Sequence, residues 1–259
     1  MKQALVLFAA VLPLAGQPKL LINAQVDTRS AASGLEREFR GLLGAQPQPA
    51  WIGYMVPSIR SYNLGCEYVS PNGRTAPGVV HLEPPAQAVI LFRVVSGAVE
   101  RVRALSPDCE LDAGGVPLHW LADVRPAESV ALLATFDLSE AVTAIAMHAD
   151  PAADSTLEGF LAPGRPESQQ RRAAFWLAAA RGARGLQVVK DILTKDSNQA
   201  VRRQAVSGLA ASRQPESLDL LMSIAKTDRD SQIRRQAFNA IGRSRDPRAK
   251  AFLEDVLTH

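Results

Sequence analysis

The strongest constraint in this chain is a periodicity of 32 residues in its C-terminal half. An offset of that length puts Ala141, Ala173, Ala205 and Ala237 in one column and Ile145, Leu177, Leu209 and Ile241 in another. The two columns are four residues apart, which places them on one face of a helix. Leu157, Val189, Leu221 and Leu253 form a third column, and Phe160, Ile192, Ile224 and Val256 a fourth. Leu161, Leu193, Ala225 and Leu257 run beside the fourth. This spacing predicts a second helix in each unit, so the region from Ser139 to His259 is expected to be about four helical hairpins. The alanine columns let neighbouring helices approach closely. A single hairpin cannot bury its apolar face alone, so the units must stack.

The punctuation fits. Pro215 and Pro247 stand where the second helices of the last two units should begin, and a first-turn proline costs no hydrogen bond there. Gly182 and Gly185 break the chain at the corresponding place one unit earlier. Asp196 and Asp228 lie between units and are expected to cap, or to meet the positive end of, the next first helix. Arginine pairs recur at Arg171-Arg172, Arg202-Arg203 and Arg234-Arg235. Arg171, Arg203 and Arg235 are equivalent in the register of the alanine columns. Two readings stand. The arginines form a basic ridge for an acidic partner or nucleic acid, or they bridge to inter-unit acids such as Asp196 and Asp228 and hold the hairpins in register.

Asp228-Arg229-Asp230, Ile233-Arg234, Ala237, Ile241-Gly242, Asp246-Pro247 and Leu253 resemble the short HEAT-like repeat of the phycobilisome-lyase type. Asp196, Val201-Arg202, Ala205 and Leu209 match the preceding unit, and Ala141-Ile145-His148 make a degenerate first unit. The resemblance covers about 120 residues. It implies an α-solenoid that binds other proteins, and it does not by itself imply chromophore chemistry. The tetratricopeptide and ankyrin patterns are absent. In such solenoids the second helices usually line the concave face. The partner-binding candidates are therefore Arg184, Lys190, Lys195, Arg213, Lys226, Arg245, Arg248 and Lys250. Phe175 and Trp176 could anchor a partner, but beside Leu177 they read more simply as core.

Residues 17–125 read as a small α+β domain, with the solenoid occupying 126–259. Leu20 to Val26 and Trp51 to Val56 are strand candidates. Leu35, Phe39, Leu42 and Leu43 share a helical face. Ala88 to Val95 and Ala98 to Leu105 should pair around Ser96-Gly97, with Val99, Arg101 and Arg103 on one side and Val102 and Ala104 on the other. Arg60 to Pro77 reads as a loop carrying Cys66, and Val79 to Leu82 precedes a Pro84-Pro85 turn. Pro126 to Phe136 should be a helix that caps the array.

Residues 1–16 read as a signal peptide: Lys2, an apolar run from Ala4 to Ala15, then Gly16. Cleavage fits after Gly16 or after Ala24, and the rival reading is a buried strand or helix. No later apolar run is long enough to span a membrane. Export would place the protein in the periplasm or outside the cell. It would also favour a disulfide between the two cysteines, Cys66 and Cys109, closing a loop of about 43 residues. Such a loop contributes roughly 3–4 kcal/mol by chain entropy. Two buried thiols are the alternative.

Charge is split along the chain. Residues 165–259 carry 18 Lys/Arg and 10 Asp/Glu, and the rest of the chain has the opposite balance, although the whole is only +3. A protein partner is expected, an acidic one where the basic face is used. Nucleic acid is not expected, because an exported protein meets none and aromatic residues for stacking make up only 5%. No HExxH, GxGxxG, P-loop or GxSxG occurs, and His81, His119, His148 and His259 have no metal spacing. No cofactor or metal is expected. His148 should cap a helix end. Cys109 to Gly115 reads as a pinned turn, with a cation site or binding loop as lesser readings. The chain thus reads as a non-catalytic binding or scaffold protein of the cell envelope. The alternative is an enzyme or enzyme accessory with a site around Asp108 to Asp112 and His119.

Overall fold

A computed structural model describes residues 21–45, 48–59, 86–195 and 198–258. The expected signal segment, the loop carrying Cys66, the Val79 to Leu82 segment and Asp196 lie outside the described residues. The N-terminal part holds two sheets. β1 (Leu21–Ile22) and β6 (Leu111–Asp112) form a short parallel pair. β2 (Gln25–Ser30), β3 (Ala50–Pro57), β4 (Gln87–Val95), β5 (Ala98–Leu105) and β7 (Pro117–Ala122) form the main sheet, in the order β2-β7-β3-β4-β5. α1 (Leu35–Gly44) connects β2 to β3, and β7 lies between those two strands, parallel to both. β3, β4 and β5 pair antiparallel.

β4 is apolar on both sides because both faces of the sheet are covered. Ala88, Ile90, Phe92 and Val94 face the main core, while Val89 and Leu91 face a smaller one with Leu105, Cys109, Leu118 and Trp120. α1 lays Leu35, Phe39 and Leu42 on the main face, one stripe at helical spacing. Phe39 meets Phe92 edge-on at 4.7 Å, and Phe136 closes a three-ring cluster with them. Ser96 and Gly97 both have positive φ, 50° and 73°, the backbone of a tight two-residue hairpin turn.

One expectation fails on this hairpin. Arg93 pairs with Arg101 but Val94 pairs with Val99, so Glu100 is an extra residue in β5. A β-bulge of this kind reverses the alternation beyond it. Val99 therefore joins Val102 and Ala104 against the main core and does not share a face with Arg101 and Arg103.

From Pro126 onward the described chain is helical. α2 (Pro126–Leu133) is followed by four hairpins. They are α3 (Ser139–Met147) with α4 (Ala152–Phe160), α5 (Glu167–Ala180) with α6 (Gly182–Lys195), α7 (Gln199–Ala211) with α8 (Pro215–Thr227), and α9 (Ser231–Gly242) with α10 (Pro247–Thr258). The alanine column and the Ile145–Ile241 column lie on the first helices and are buried in all four. Leu157, Val189 and Leu221 are buried on the second helices, while Leu253 in the last unit is half-buried. The first helices of successive units pack on one another, α3 on α5, α5 on α7 and α7 on α9. α5 and α7 approach closely at Gly208, where a Cβ would stand 2.3 Å from the carbonyl oxygen of Phe175.

The helix starts follow a different column from the expected one. Asn198 and Asp230 are the N-caps of α7 and α9, each accepting from two backbone N–H groups of the first turn. Asp228 instead ends α8 and is engaged sideways by arginine. The cap must sit immediately before the first helical residue, and Asp228 stands two residues too early.

The sheet and the hairpins share one apolar core, which runs from α1 to Phe252. The end of β3 is stitched to the first hairpin. Ile59 N–H donates to Met147 O at 2.9 Å, and Ala149 N–H donates to Pro57 O at 3.0 Å. Beneath this seam lies a polar chain with His148 and Ser129 wholly buried. His148 Nδ1 is 2.8 Å from Ala144 O, His148 Nε2 is 2.8 Å from Ser129 Oγ, and Ser129 Oγ is 2.8 Å from the Tyr54 hydroxyl. The Ala144 carbonyl can only accept, so Nδ1 carries the proton and Nε2 accepts from Ser129. Burial lowers the His148 pKa to about 4, which keeps the ring neutral. The helix-end role expected of His148 is its actual role.

Candidate functional site

Arginines on the hairpins divide into three groups by what they touch. The first is buried and structural. Arg202 Nη2 lies 2.6 Å from both oxygens of Asp228, and both side chains are almost fully enclosed. Arg234 Nη1 donates to Asp228 O at 2.7 Å. The register that bridges the units is therefore Arg202 and Arg234, one residue before the Arg203 and Arg235 that align with the alanine columns. Arg181 forms a second buried bridge, to Asp154 at 2.5 Å, and donates to the carbonyls of Ala146 and His148. This arginine recurs as Arg213 and Arg245, but the positions equivalent to Asp154 are Leu186 and Leu218. Without that acid, Arg213 and Arg245 remain exposed.

The second group is exposed but paired. Arg184 binds Glu158 at 2.6 Å, which raises the arginine's pKa. Lys195 pairs with Asp191, Lys226 with Asp255, and Lys250 with Glu254. Lys226 also lies over the Phe252 ring at 5.0 Å. Arg248 binds both Asp219 and Asp246, and Arg248 in turn holds the Asp246 carboxyl below its usual range. Most of the second-helix candidates are thus already neutralised by neighbours. Lys190 is exposed and borders a small hollow between α6 and α8.

The third group is exposed, with guanidinium groups that make no ion pair or hydrogen bond among the described residues; Arg172 and Arg245 belong to it, and four others gather in one place. Arg203, Arg213, Arg235 and Arg243 all line one groove of about 790 Å³. Its walls are α7 and α9, and its end is the turn into α8. Arg203, Ser207 and Ala210 follow one face of α7; Gln232, Gln236, Asn239 and Arg243 follow one face of α9. Gln236 Nε2 ties the walls together, donating to Arg203 O at 3.0 Å and Ser207 Oγ at 2.8 Å. The one acid on the lining is Asp246, already engaged by Arg248.

Residues 186–259 match the HEAT repeats family. The match runs from within α6 to the end of the chain and takes in the whole groove. The HEAT-like assignment of the last hairpins is therefore supported by sequence comparison as well as by the buried columns. No curated protein matches the chain. Of the candidates named from sequence, only Arg213 reaches the groove. Arg203 and Arg235 stood in the arginine pairs, where sequence alone does not separate a buried bridge from an exposed one, and Arg243 was not singled out.

Phe175 and Trp176 are packing residues. Trp176 is buried and donates from Nε1 to Thr143 Oγ1 at 3.0 Å, and Phe175 meets it edge-on. In the N-terminal part, His119 Nδ1 is 3.4 Å from Asp27 Oδ2, on the main sheet. Arg29 lowers the pKa of that aspartate, with His119 adding to the effect. Asp112, on the β1–β6 pair, accepts from Asn23 Nδ2 and from Gly114 N–H. Gly114 and Gly115 have φ of 65° and 75°, and Gly115 N–H donates to Asn23 O. These bonds make Cys109 to Gly115 a structured turn. A hollow of about 210 Å³ lies beside it, walled mainly by Leu21, Trp51, Leu91, Leu105 and Leu111. Among the described residues, no group of three or more His, Cys, Asp or Glu is placed to hold a metal ion. None of their helices is long and apolar enough to cross a membrane.

Proposed function

We propose that this chain is a non-catalytic binding or scaffold protein of the cell envelope, working through the surface of a HEAT-like solenoid. The observation that carries this reading is the convergence of four exposed arginines, Arg203, Arg213, Arg235 and Arg243, on one groove of the hairpins. Exposed charge left without a partner among the described residues is available to a partner outside the chain, and stacked hairpins commonly serve as binding surfaces. The location rests on the apolar run from Ala4 to Ala15 and on the cysteines. No free cysteine occurs among the described residues, and Cys109 is buried, which supports its pairing with Cys66.

The test is light crosslinking of the tagged, exported protein in its own envelope, followed by affinity capture and mass spectrometry. A recurrent partner crosslinked to the hairpins is the expected result. Absence of any enriched partner from every fraction would overturn the reading. Intact mass of the purified protein, before and after alkylation, checks export and disulfide together. Loss of the N-terminal segment and no alkylated cysteine are expected.

The hollow beside Cys109 is the observation that favours the second reading, a site in the N-terminal domain. Asp112→Asn should then impair a small-molecule interaction without lowering stability. A melt that moves as far as the interaction does would assign Asp112 to the turn alone.

A further inference from the structure

We propose that the groove between α7 and α9 is the docking site for an acidic, extended peptide segment of a partner protein. The inference rests on the scaffold reading above and gives it a place and a ligand chemistry.

Charge complementarity comes first. Arg203, Arg213, Arg235 and Arg243 line the groove with no carboxylate of their own, while Asp246 is satisfied by Arg248. On the second-helix side Arg184, Lys195, Lys226, Arg248 and Lys250 each have an acidic partner, and Lys190 makes no ion pair among the described residues. Guanidinium groups present paired donors that match a carboxylate in a bidentate fashion, so glutamate or aspartate side chains fit them well.

The groove lining also contains unsatisfied neutral groups of two kinds. Ser217, only 2% exposed, has a hydroxyl with no hydrogen-bond partner among the described residues. Gln236 is fixed by the two bonds from its Nε2, and its Oε1 has no donor among the described residues. A buried polar group without a partner costs about 1–3 kcal/mol. An amide oxygen accepts from any N–H or O–H donor, and a peptide backbone supplies N–H groups along its whole length. A nucleic acid strand would want stacking platforms, and the lining contains no aromatic side chain. The ligand that offers both carboxylates and N–H donors is an acidic peptide.

The experiment uses the full chain and fluorescence anisotropy of a labelled peptide of alternating Glu and Ala, beside its Gln counterpart. Binding of the Glu peptide, weakened by salt, and little binding of the Gln peptide are expected. The double variant Arg203→Glu with Arg235→Glu should lose about tenfold or more in affinity. The double variant Lys190→Glu with Lys250→Glu has the same charge change on the second-helix side and should lose less than about twofold. Thermal melts check that both variants are folded. If the groove variant melts early, Arg203→Gln with Arg235→Gln replaces it and should lose at least about fivefold.

Equal loss from both faces would overturn the proposal, as would an oligonucleotide or inorganic phosphate displacing the peptide at lower concentration than unlabelled peptide does. If envelope crosslinking captures a partner that the groove variant still binds fully, this inference fails and the scaffold reading stands. If the wild-type chain captures none, the scaffold reading fails and takes this inference with it.

Discussion

Two of the buried polar joints in this molecule differ in kind. At the seam between sheet and hairpins, Tyr54, Ser129 and neutral His148 form a chain with no formal charge. At the joint between the last two hairpins, Arg202 and Asp228 form an enclosed ion pair. The seam occurs once, where unlike elements meet, and its residues belong to no repeat column. The joint stands at repeat positions, since Arg202 recurs as Arg234 and Asp228 as Asp196, but the pair itself does not recur, because the position one unit before Arg202 is Gln170. Removing one member of a neutral chain costs hydrogen bonds, whereas removing one member of an enclosed ion pair leaves a bare charge. The two joints should therefore fail in different ways.

The largest loss is expected from unpairing the ionic joint. Arg202→Met leaves Asp228 charged and enclosed, which should cost about 3–5 kcal/mol in a denaturant melt. Arg202→Met with Asp228→Leu should recover much of that loss, because no bare charge remains. A single variant that costs under about 1 kcal/mol would mean that water reaches the pair, and the contrast with the seam would disappear.

What the sequence revealed follows the same division. The hairpins were legible because each apolar position is sampled four times, so a column such as Ala141 to Ala237 stands out from local noise. The β4–β5 hairpin was legible from alternation around Ser96-Gly97. The bulge at Glu100 was not, since one extra residue changes pairing without changing composition. The seam was invisible as a unit: Tyr54, Ser129 and His148 lie far apart in sequence and meet only through tertiary packing. The groove was half legible. Arginine pairs were apparent, but which member turns inward depends on helix phase to within one residue, finer than the repeat alignment resolves.

Leu221→Ala sharpens the contrast within the repeats. Leu221 is 4% exposed and should cost about 2–5 kcal/mol, while Leu253, its half-buried counterpart in the last hairpin, should cost clearly less. Equal losses would mean that the final unit is covered in solution, by another molecule or another copy.

The seam predicts a pH dependence. His148 is held at about 4 in the folded chain against an ordinary 6.5. Between those values the unfolded chain binds the proton and the folded chain does not. Stability contributed by the neutral ring is thus complete above about pH 6.5 and declines as pH falls toward 4. The total is roughly 3 kcal/mol, from about 1.4 kcal/mol per pKa unit. Melts of wild type and His148→Gln at several values from pH 7 to pH 4 isolate the effect. The depressed carboxylates Asp230 and Asp246 act in the same direction at lower pH and are common to both proteins. Parallel curves would mean that the ring takes up its proton without leaving the seam.

The smallest effect belongs to the paired surface cations, and it decides whether the second-helix side is inert. Lys250 is exposed and sits 3.6 Å from Glu254, one turn along the same helix. Such a pair stabilises by only about 0.3–0.5 kcal/mol, because solvent screens both charges and two long side chains lose freedom to hold it. Lys250→Ala should therefore move a melt by less than about 0.5 kcal/mol and leave binding of an acidic peptide unchanged. The same truncation at Arg235 should also be mild for stability, since its guanidinium is exposed and makes no ion pair or hydrogen bond among the described residues. It should nevertheless weaken the peptide, and that separation of stability from binding is what distinguishes a recognition arginine from a structural one. If Arg235→Ala changed neither, the unpaired cations of the groove would be as inert as the paired ones opposite, and the contrast between the two helical faces would carry no functional meaning.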